Sequence, residues 1–479
     1  MNRFEKIIGF MALTFFYLSC FGQIAEVRTY GGELFEEGQQ IITCTSGGYA
    51  LVGTTSSDIN SATNIYVQRL DENLNCIWNR VLGGANVDHG MSIIEDDQLN
   101  LIVCGFTNEG NYGGYDVVVY KLNSDGENVW RKTFGGSDWE FGNNIVLGPD
   151  GGYIICGSTF SDGNGDEDGL LLSVDAEGEL LESFTFGYFG RDLFRSLSIT
   201  ETGQIVLGGS TENADGVSYA WLICLDSDYF TVWELVISNY EFGIITDIAI
   251  SFDDQFLAVG KFNLIGDEEN GFVLKISNEG SIVFDQLFGE VNMEGVAATE
   301  DFIYVVGNTT LFGLGGSSAV IFRLDQLGEW QNGAAFGDSD DEAANDVLID
   351  LSSSVCMLGY SNSYSVNNGS DVYLVRFADP VIVNDYLLDL DYASCFDIAV
   401  KPNYQIKDFK VKFDAGQFAF DWINGSFFIE IRDCIGRLIY SNDRYENLLV
   451  VDKKNMATGL YVVSYSDAQG NNGRIKILL

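Results

Sequence analysis

The sequence predicts an all-β protein: a seven-bladed β-propeller closed by an N-terminal strand, followed by a small C-terminal β-sandwich. Three observations carry this reading. A glycine at the end of an apolar strand returns as Gly53, Gly105, Gly157, Gly209, Gly260, Gly307 and Gly359, at spacings of 52, 52, 52, 51, 47 and 52. Each period holds four short strands, and residues 116–136, DVVVYKLNSDGENVWRKTFGG, show half of one most clearly. Self-similarity at this period marks a propeller blade, because one such sheet cannot bury both of its faces alone.

The ends of the repeat region supply the closure. Residues 24–32, IAEVRTYGG, match the last strand of a repeat, as in WRKTFGG at 130–136, but have no preceding strands of their own. The seventh repeat has strands near 345–350, 355–360 and 371–377 and then stops before its fourth. The two fragments complete each other, so the N-terminal strand is expected to pair into the final blade and remove two exposed sheet edges.

Within a blade, the turn between the third and fourth strands follows a D/N-x-x-G pattern: Asn123 to Gly126, Asp175 to Gly178, Asp325 to Gly328. Glycine supplies the positive φ that the hairpin needs, and Asp or Asn caps the turn. Seven residues after the capping position comes Trp78, Trp130, Trp233 or Phe284. Such rings could form a stacking platform or pack between blades; regular recurrence favours packing.

A chain of 479 residues is long for one domain, but a radial repeat is the usual exception to that prior. The expected organisation is a signal peptide at 1–22, the propeller at 23–380, a linker at 381–392 and the C-terminal domain at 393–479. High glycine (55), very low proline (3) and 13% aromatic residues suit many turns and strands and argue against a disordered chain. The net charge is −45, yet residues 400–479 carry 11 Lys and Arg against 9 Asp and Glu, so the acidity belongs to the repeats. That field repels phosphate backbones, which excludes nucleic acid as a partner and favours cations or basic partners; a solvated acidic surface needs no partner at all.

Arg3 and Lys6, the apolar run 7–18 and the small residues Cys20 and Gly22 before Gln23 read as an export signal. A lipoprotein reading at Cys20 competes, because Leu18-Ser19-Cys20 is lipobox-like, although Tyr17 sits where an aliphatic residue is usual. No other stretch has the roughly 18 apolar residues of a membrane helix. The mature protein is therefore expected to be a monomer without a membrane span, secreted or held at the outer-membrane surface.

Beyond Pro380 the period and the charge balance change. Seven short strands, near 395–400, 409–413, 427–432, 437–440, 447–451, 460–465 and 474–479, read as a small β-sandwich. Lys401-Pro402-Asn403-Tyr404, the turn Asp433-Cys434-Ile435-Gly436-Arg437, and the closing pair Gly459-Leu460-Tyr461-Val462 and Arg474-Ile475-Lys476-Ile477 resemble the C-terminal sorting domain of type IX secretion cargo in Bacteroidetes-type bacteria. Lys401 and Tyr404 depart from that family's Y-P-N-P start; the other two motifs match well. The repeats likewise resemble propeller repeats of secreted Bacteroidetes cargo. The resemblance implies export across two membranes by the type IX secretion machinery, with removal of the sorting domain and anchoring at the surface or release. It implies little about what the ring binds.

The alternation of turns along each sheet puts the short a-b and c-d turns on one face and the long b-c loops and d-a connections on the other. The second face carries variable loops and Glu37, Asp88, Glu140, Asp192, Glu241, Glu294 and Glu342, which makes it the expected binding face. Its sharpest candidate is the blade-six loop with Leu311, Phe312 and Leu314, an apolar anchor rimmed by Asp267, Glu268 and Glu269. The competing reading folds Phe312 back over the channel mouth.

Catalytic chemistry is sparsely marked. The one histidine, His89, would have to support a Ser-His-Asp or Cys-His hydrolase alone, and no G-x-S-x-G elbow stands near it. Histidine-based zinc sites lack ligands. Asp162, Asn164, Asp166 and Asp168 alternate as in calcium loops, but Glu167 replaces the sixth-position glycine and Ser173 the twelfth-position glutamate, leaving a loop-bound Ca²⁺ as the single cofactor candidate. Cys104 and Cys156 share the place just before the repeat glycine and read as small buried apolar residues; Cys395 and Cys434 could pair.

The expected function is an exported binding or scaffold module whose acidic loop face takes a protein or a glycan. The alternative is a carboxylate-based, calcium-assisted polysaccharide-active enzyme, a glycosidase or lyase, which needs two carboxyl groups about 5 to 10 Å apart across a pocket.

Overall fold

The computed structural model describes residues 26–57, 62–109, 113–238, 241–263, 269–311, 316–365 and 369–378, and seven strands between 409 and 478. No described residue is helical. Residues 26–378 form seven four-stranded antiparallel sheets. Blades 1 to 6 span 36–82, 88–134, 140–186, 192–237, 241–288 and 291–336, each running in sequence from an innermost to an outermost strand. Blade 7 takes three strands from 342–378 and its outermost from Glu26–Tyr30. The register Glu26↔Arg376 to Tyr30↔Val372 agrees with the expected closure. Arg376 also reaches the Glu26 carboxylate, and Tyr30 donates to Leu74 O in blade 1 at 2.8 Å.

The core lies between blades rather than within them. Cys44, Val52 and Val67 of blade 1 pack on Ile93, Val103 and Val118 of blade 2, and a buried cluster of this kind fills each of the seven seams. Second and third strands are buried on both faces, as in Tyr49–Thr55 and Asp116–Leu122, so they read as continuous apolar runs. Outer strands alternate, with one face on the next blade and one in water.

The recurring tryptophans pack between blades as expected. Trp78 Nε1 donates to Ser124 O in the next blade's turn at 3.0 Å, and Trp233 Nε1 does the same to Asn278 O at 2.9 Å. Each ring lies on the turn glycine of its neighbour: Trp78 on Gly126, Trp130 on Gly178, Trp233 on Gly280, Phe284 on Gly328. Glycine there meets two demands at once, a φ near +80° and room for an aromatic face. Cys104 and Cys156 are buried and unpaired, as expected.

Of the C-terminal strands, 409–414, 417–422 and 448–452 form one sheet, and 427–433, 438–442, 460–467 and 472–478 another.

Candidate functional site

Two regions of the ring gather candidate functional side chains: the axial channel and the loop face at one end of it.

The channel is built by β-bulges. In the first strand of every blade the pairing to the second strand skips a residue, as between Gly142 and Asn144, and equivalently in the other six. A bulged residue leaves the ladder and can be re-aimed. Here the seven are Gln39, Met91, Asn143, Arg195, Thr246, Glu294 and Asn345, and all of them line a polar axial cavity of about 170 Å³. The repeat glycines stand opposite these bulges. A Cβ on Gly53, Gly105, Gly157, Gly209, Gly260, Gly307 or Gly359 would strike the carbonyl oxygen of Glu37, His89, Phe141, Leu193, Ile244, Asn292 or Ala343.

In five blades the residue after the bulge ties that blade to the next. Gln40 accepts Ile93 N–H at 2.7 Å, Ser92 accepts Ile145 N–H at 3.2 Å, Ser196 accepts Ile248 N–H at 3.1 Å and Asp247 accepts Val296 N–H at 3.0 Å. Asp346 closes the series on Ile41 N–H at 2.8 Å. In blade 6 the equivalent residue is Gly295, and its missing side chain is made good by Asp346, whose other oxygen takes Val347 N–H. Burial, and then the Asp247 charge, push Asp346 up to about 7; burial pushes Asp247 up to about 6. Lys261 pairs with Glu294 at 3.0 Å in the same cavity.

On the loop face the acids that repeat at the connections between blades are engaged. Gly32, Gly84, Gly136, Tyr188 and Asp338 donate their N–H groups to Glu36, Asp88, Glu140, Asp192 and Glu342, each at 2.6 to 3.2 Å. Thr55, Thr159 and Ser361 hydroxyls hold the second oxygen of Glu36, Glu140 and Glu342. These buried carboxylates fix the connections between blades. The expectation that the repeated acids of this face are displayed for binding is corrected for Asp88, Glu140, Asp192 and Glu342; Glu36, not Glu37, is their counterpart in blade 1, and Glu294 lines the channel.

What the face does display is aromatic. His89, Phe106, Tyr115, Trp139, Phe141 and Phe160, from blades 2 and 3, form one connected patch. Phe106 lies edge-on to Tyr115 and Phe141 at 5.6 and 5.0 Å, and Trp139 edge-on to Tyr115 and Phe160, both at 5.8 Å. Gly114 leaves room for the Trp139 indole. Trp139 is 46% exposed and Phe189, in the next connection, 87%. His89 stacks on Phe106 at 4.8 Å and lies 3.3 and 3.4 Å from the Thr54 and Thr63 hydroxyls. Burial lowers its pKa, and the ring forms a wall of the patch. The patch was missed in the sequence because its members are far apart there. Placing Phe106, Tyr115, Trp139 and Phe160 on the blade template, all at strand ends of one face, is the signal that finds it.

The other predicted residues fall as follows. Leu311 is half-buried, and Glu269 is exposed and accepts Asn292 Nδ2 at 2.7 Å. Phe312, Leu314, Asp267 and Glu268 lie outside the described residues. Asp162, Asn164 and Asp166 are exposed, whereas Asp168 is buried and accepts Gly165 N–H at 3.0 Å. Among the described residues no three His, Cys, Asp or Glu side chains are grouped as ligands for a metal ion. Of the sorting motif, Asp433 pairs in register with Tyr461 and Val462 with Lys476, while Pro402, Asn403, Gly436, Arg437 and Gly459 lie outside the described residues.

No family model matches the chain, and the curated proteins contain no match to it. Solved structures do resemble it. The extracellular domain of a hybrid two-component system from B. thetaiotaomicron is 11% identical over 94% of this chain and 57% of its own, with a TM-score of 0.41. A protein of unknown function from Dyadobacter fermentans is 10% identical over 74% of this chain and 99% of its own, with a TM-score of 0.44. PorZ, a surface component of the type-IX secretion system of Porphyromonas gingivalis, is 11% identical over 87% of this chain and 64% of its own, with a TM-score of 0.31. This chain thus spans a little over half of the first of these proteins, and the likenesses are of fold alone.

Proposed function

We propose that the chain is an exported binding module that captures a protein or a glycan on the loop face of its propeller, at the aromatic patch of blades 2 and 3. The observation that carries this is the exposed Trp139, held on its edge by Tyr115 and Phe160, with a second exposed ring, Phe189, in the next connection round the ring. Aromatic faces desolvate at little entropic cost and are the side chains on which interface energy concentrates. The engagement of the face's repeated acids with backbone N–H groups weighs against the polysaccharide-active alternative, which needs carboxyl groups free to trade protons.

Delivery belongs to the same proposal. The signal-like N-terminus and the sorting-domain motifs support export through the type IX machinery to the surface or the medium. The strands at 409–478 would then form the sorting sandwich, with Asp433 and Tyr461 adjacent in one sheet.

The test is a glycan array together with a pull-down from the cell surface, comparing wild type with Trp139→Ala and Trp139→Ala/Phe189→Ala. Capture should weaken by about 1 to 4 kcal/mol with melting almost unchanged. Undiminished capture by the double variant would show that the patch is not the binding surface.

A further inference from the structure

On the face of the short turns, the seam between blades 1 and 2 opens into a cavity of about 410 Å³, within the roughly 300 to 1,000 Å³ of small-molecule sites. The turn 44–48 makes the room. Cys44 N–H bonds Gly48 O at 3.0 Å as Asp96 N–H bonds Asn100 O at 2.9 Å in blade 2, so the two turns correspond residue for residue. Ser46 and Gly47 therefore stand where blade 2 has Gln98 and Leu99, and Gly47 keeps the positive φ of that position, +89° against +64°, without its side chain. The same exchange leaves a buried cation without a carboxylate. Lys121 in the third strand of blade 2 pairs with Asp96 at 2.9 Å, whereas Arg69 holds that place in blade 1 and Cys44 replaces the aspartate. Arg69 is 8% exposed and lines the cavity. Its Nη hydrogens go to neutral acceptors, Tyr49 O, Leu70 O, Gly47 O and Ser46 Oγ, at 2.5 to 3.0 Å. A charge this deep is tolerated because it is so bonded, and it forms a polar floor.

The rest of the lining is mixed. Ile77, Trp78 and Leu99 supply apolar surface, with Ile77 57% and Leu99 37% exposed. Of the acids, Asp71 is engaged by Asn75, and Glu95 Oε2 accepts Thr45 N–H at 2.6 Å. The Glu72 carboxylate, the Asn73 amide and the Ser124 hydroxyl also line the cavity and have no hydrogen-bond partner among the described residues. We propose that this cavity is a saccharide-binding pocket for a mono- or disaccharide unit of a neutral glycan. Sugar hydroxyls both give and take hydrogen bonds, so they suit a lining that offers a carboxylate, an amide and a hydroxyl together, and the C–H face of the ring suits the apolar side. Glu72 accepts, Asn73 and Ser124 give and take, and Ile77 and Leu99 cover the apolar face. The pocket goes beyond the loop-face reading: it uses other residues, at the other end of the ring, and either site can fail alone.

The experiment uses the purified mature chain and four neutral disaccharides, maltose, cellobiose, lactose and N,N′-diacetylchitobiose, with free lysine and glucuronic acid as charged probes, read by saturation-transfer NMR and calorimetry. At least one disaccharide should bind at millimolar concentration or below, with an affinity that added salt leaves unchanged. Glu72→Ala/Asn73→Ala, in which both residues are exposed, should lose at least 10-fold in that affinity with melting unchanged. Trp139→Ala/Phe189→Ala should retain it, which separates this pocket from the loop-face site. The proposal is overturned if no disaccharide binds, if Glu72→Ala/Asn73→Ala binds as tightly as wild type, or if the loop-face variant loses as much. Tighter binding of lysine or glucuronic acid than of every disaccharide would overturn it too, by showing a pocket for charge.

Discussion

Asp346 Oδ2 accepts the backbone N–H of Ile41 at 2.8 Å, across 305 residues of sequence, and so joins the last blade to the first on the channel side. On the outside the same seam is closed by Glu26–Tyr30. The seam is thus held from both sides, outside by a strand and on the channel side by Asn345, which donates to Gly38 O, and by a carboxylate whose pKa burial pushes up to about 7.

Stability should therefore respond to pH through Asp346. Burial and the Asp247 charge push it up to about 7, against an ordinary carboxylate value of 3.8, so between those values the folded state binds more protons and stability falls as pH rises. Asp247, at about 6, adds to the trend. His89, with its lowered pKa, opposes it below its ordinary range. Asp247, Glu294, Lys261 and Arg195 share the channel with Asp346. Melting should drop by a few degrees from pH 5.5 to pH 8, and Asp346→Asn should flatten that slope while costing about 1 to 2 kcal/mol at pH 5.5. A slope unchanged in the variant would remove Asp346 as its source.

Gly157→Ala should destabilise the ring by about 3 kcal/mol or more, because the added methyl meets the Phe141 carbonyl and the bulge fixes that backbone. Gly151→Ala is the contrast: its φ is +79° but nothing lies within 4 Å, so only the conformational cost remains, about 1 kcal/mol. Denaturant midpoints distinguish the two, and equal losses would refute the steric account.

Deleting residues 23–32 should bare the edge strand Asp371–Ala378 and remove Glu26, the carboxylate partner of Arg376, so the variant should aggregate. A deletion variant that stays monomeric with unchanged melting would show that the strand is dispensable.

Truncation after Pro380 should leave a folded propeller in the periplasm if the segment beyond carries the sorting signal. Fractionation decides this, and surface display at wild-type levels would sink the assignment.

The ring was legible in the sequence because its determinants repeat. Gly53 to Gly359 marked the second strands, the D/N-x-x-G turns marked the outer hairpins, and the unpartnered strand before Gly31 gave the closure. The tryptophans were read as packing for the same reason, and they pack. The candidate site was less legible because its determinants do not repeat. Trp139 and Phe160 occur once each, and their proximity depends on two blades standing side by side. The loop-face acids misled for a related reason: Glu140 or Asp192 looks like a displayed charge until the backbone N–H that faces it is known.

The bulges leave one further mark on the molecule. Gln39, Met91, Asn143, Arg195, Thr246, Glu294 and Asn345 stand outside the strand pairing, and several turn instead to the neighbouring blade: Asn143 donates to Phe194 O, Thr246 to Met293 O and Asn345 to Gly38 O, while Glu294 pairs with Lys261. The lining of the channel is thus rewritten most cheaply where the bulge residue has no polar side chain to bond across the seam, as at Met91, which makes that position the natural first letter of a library that seeks new ligands along the axis.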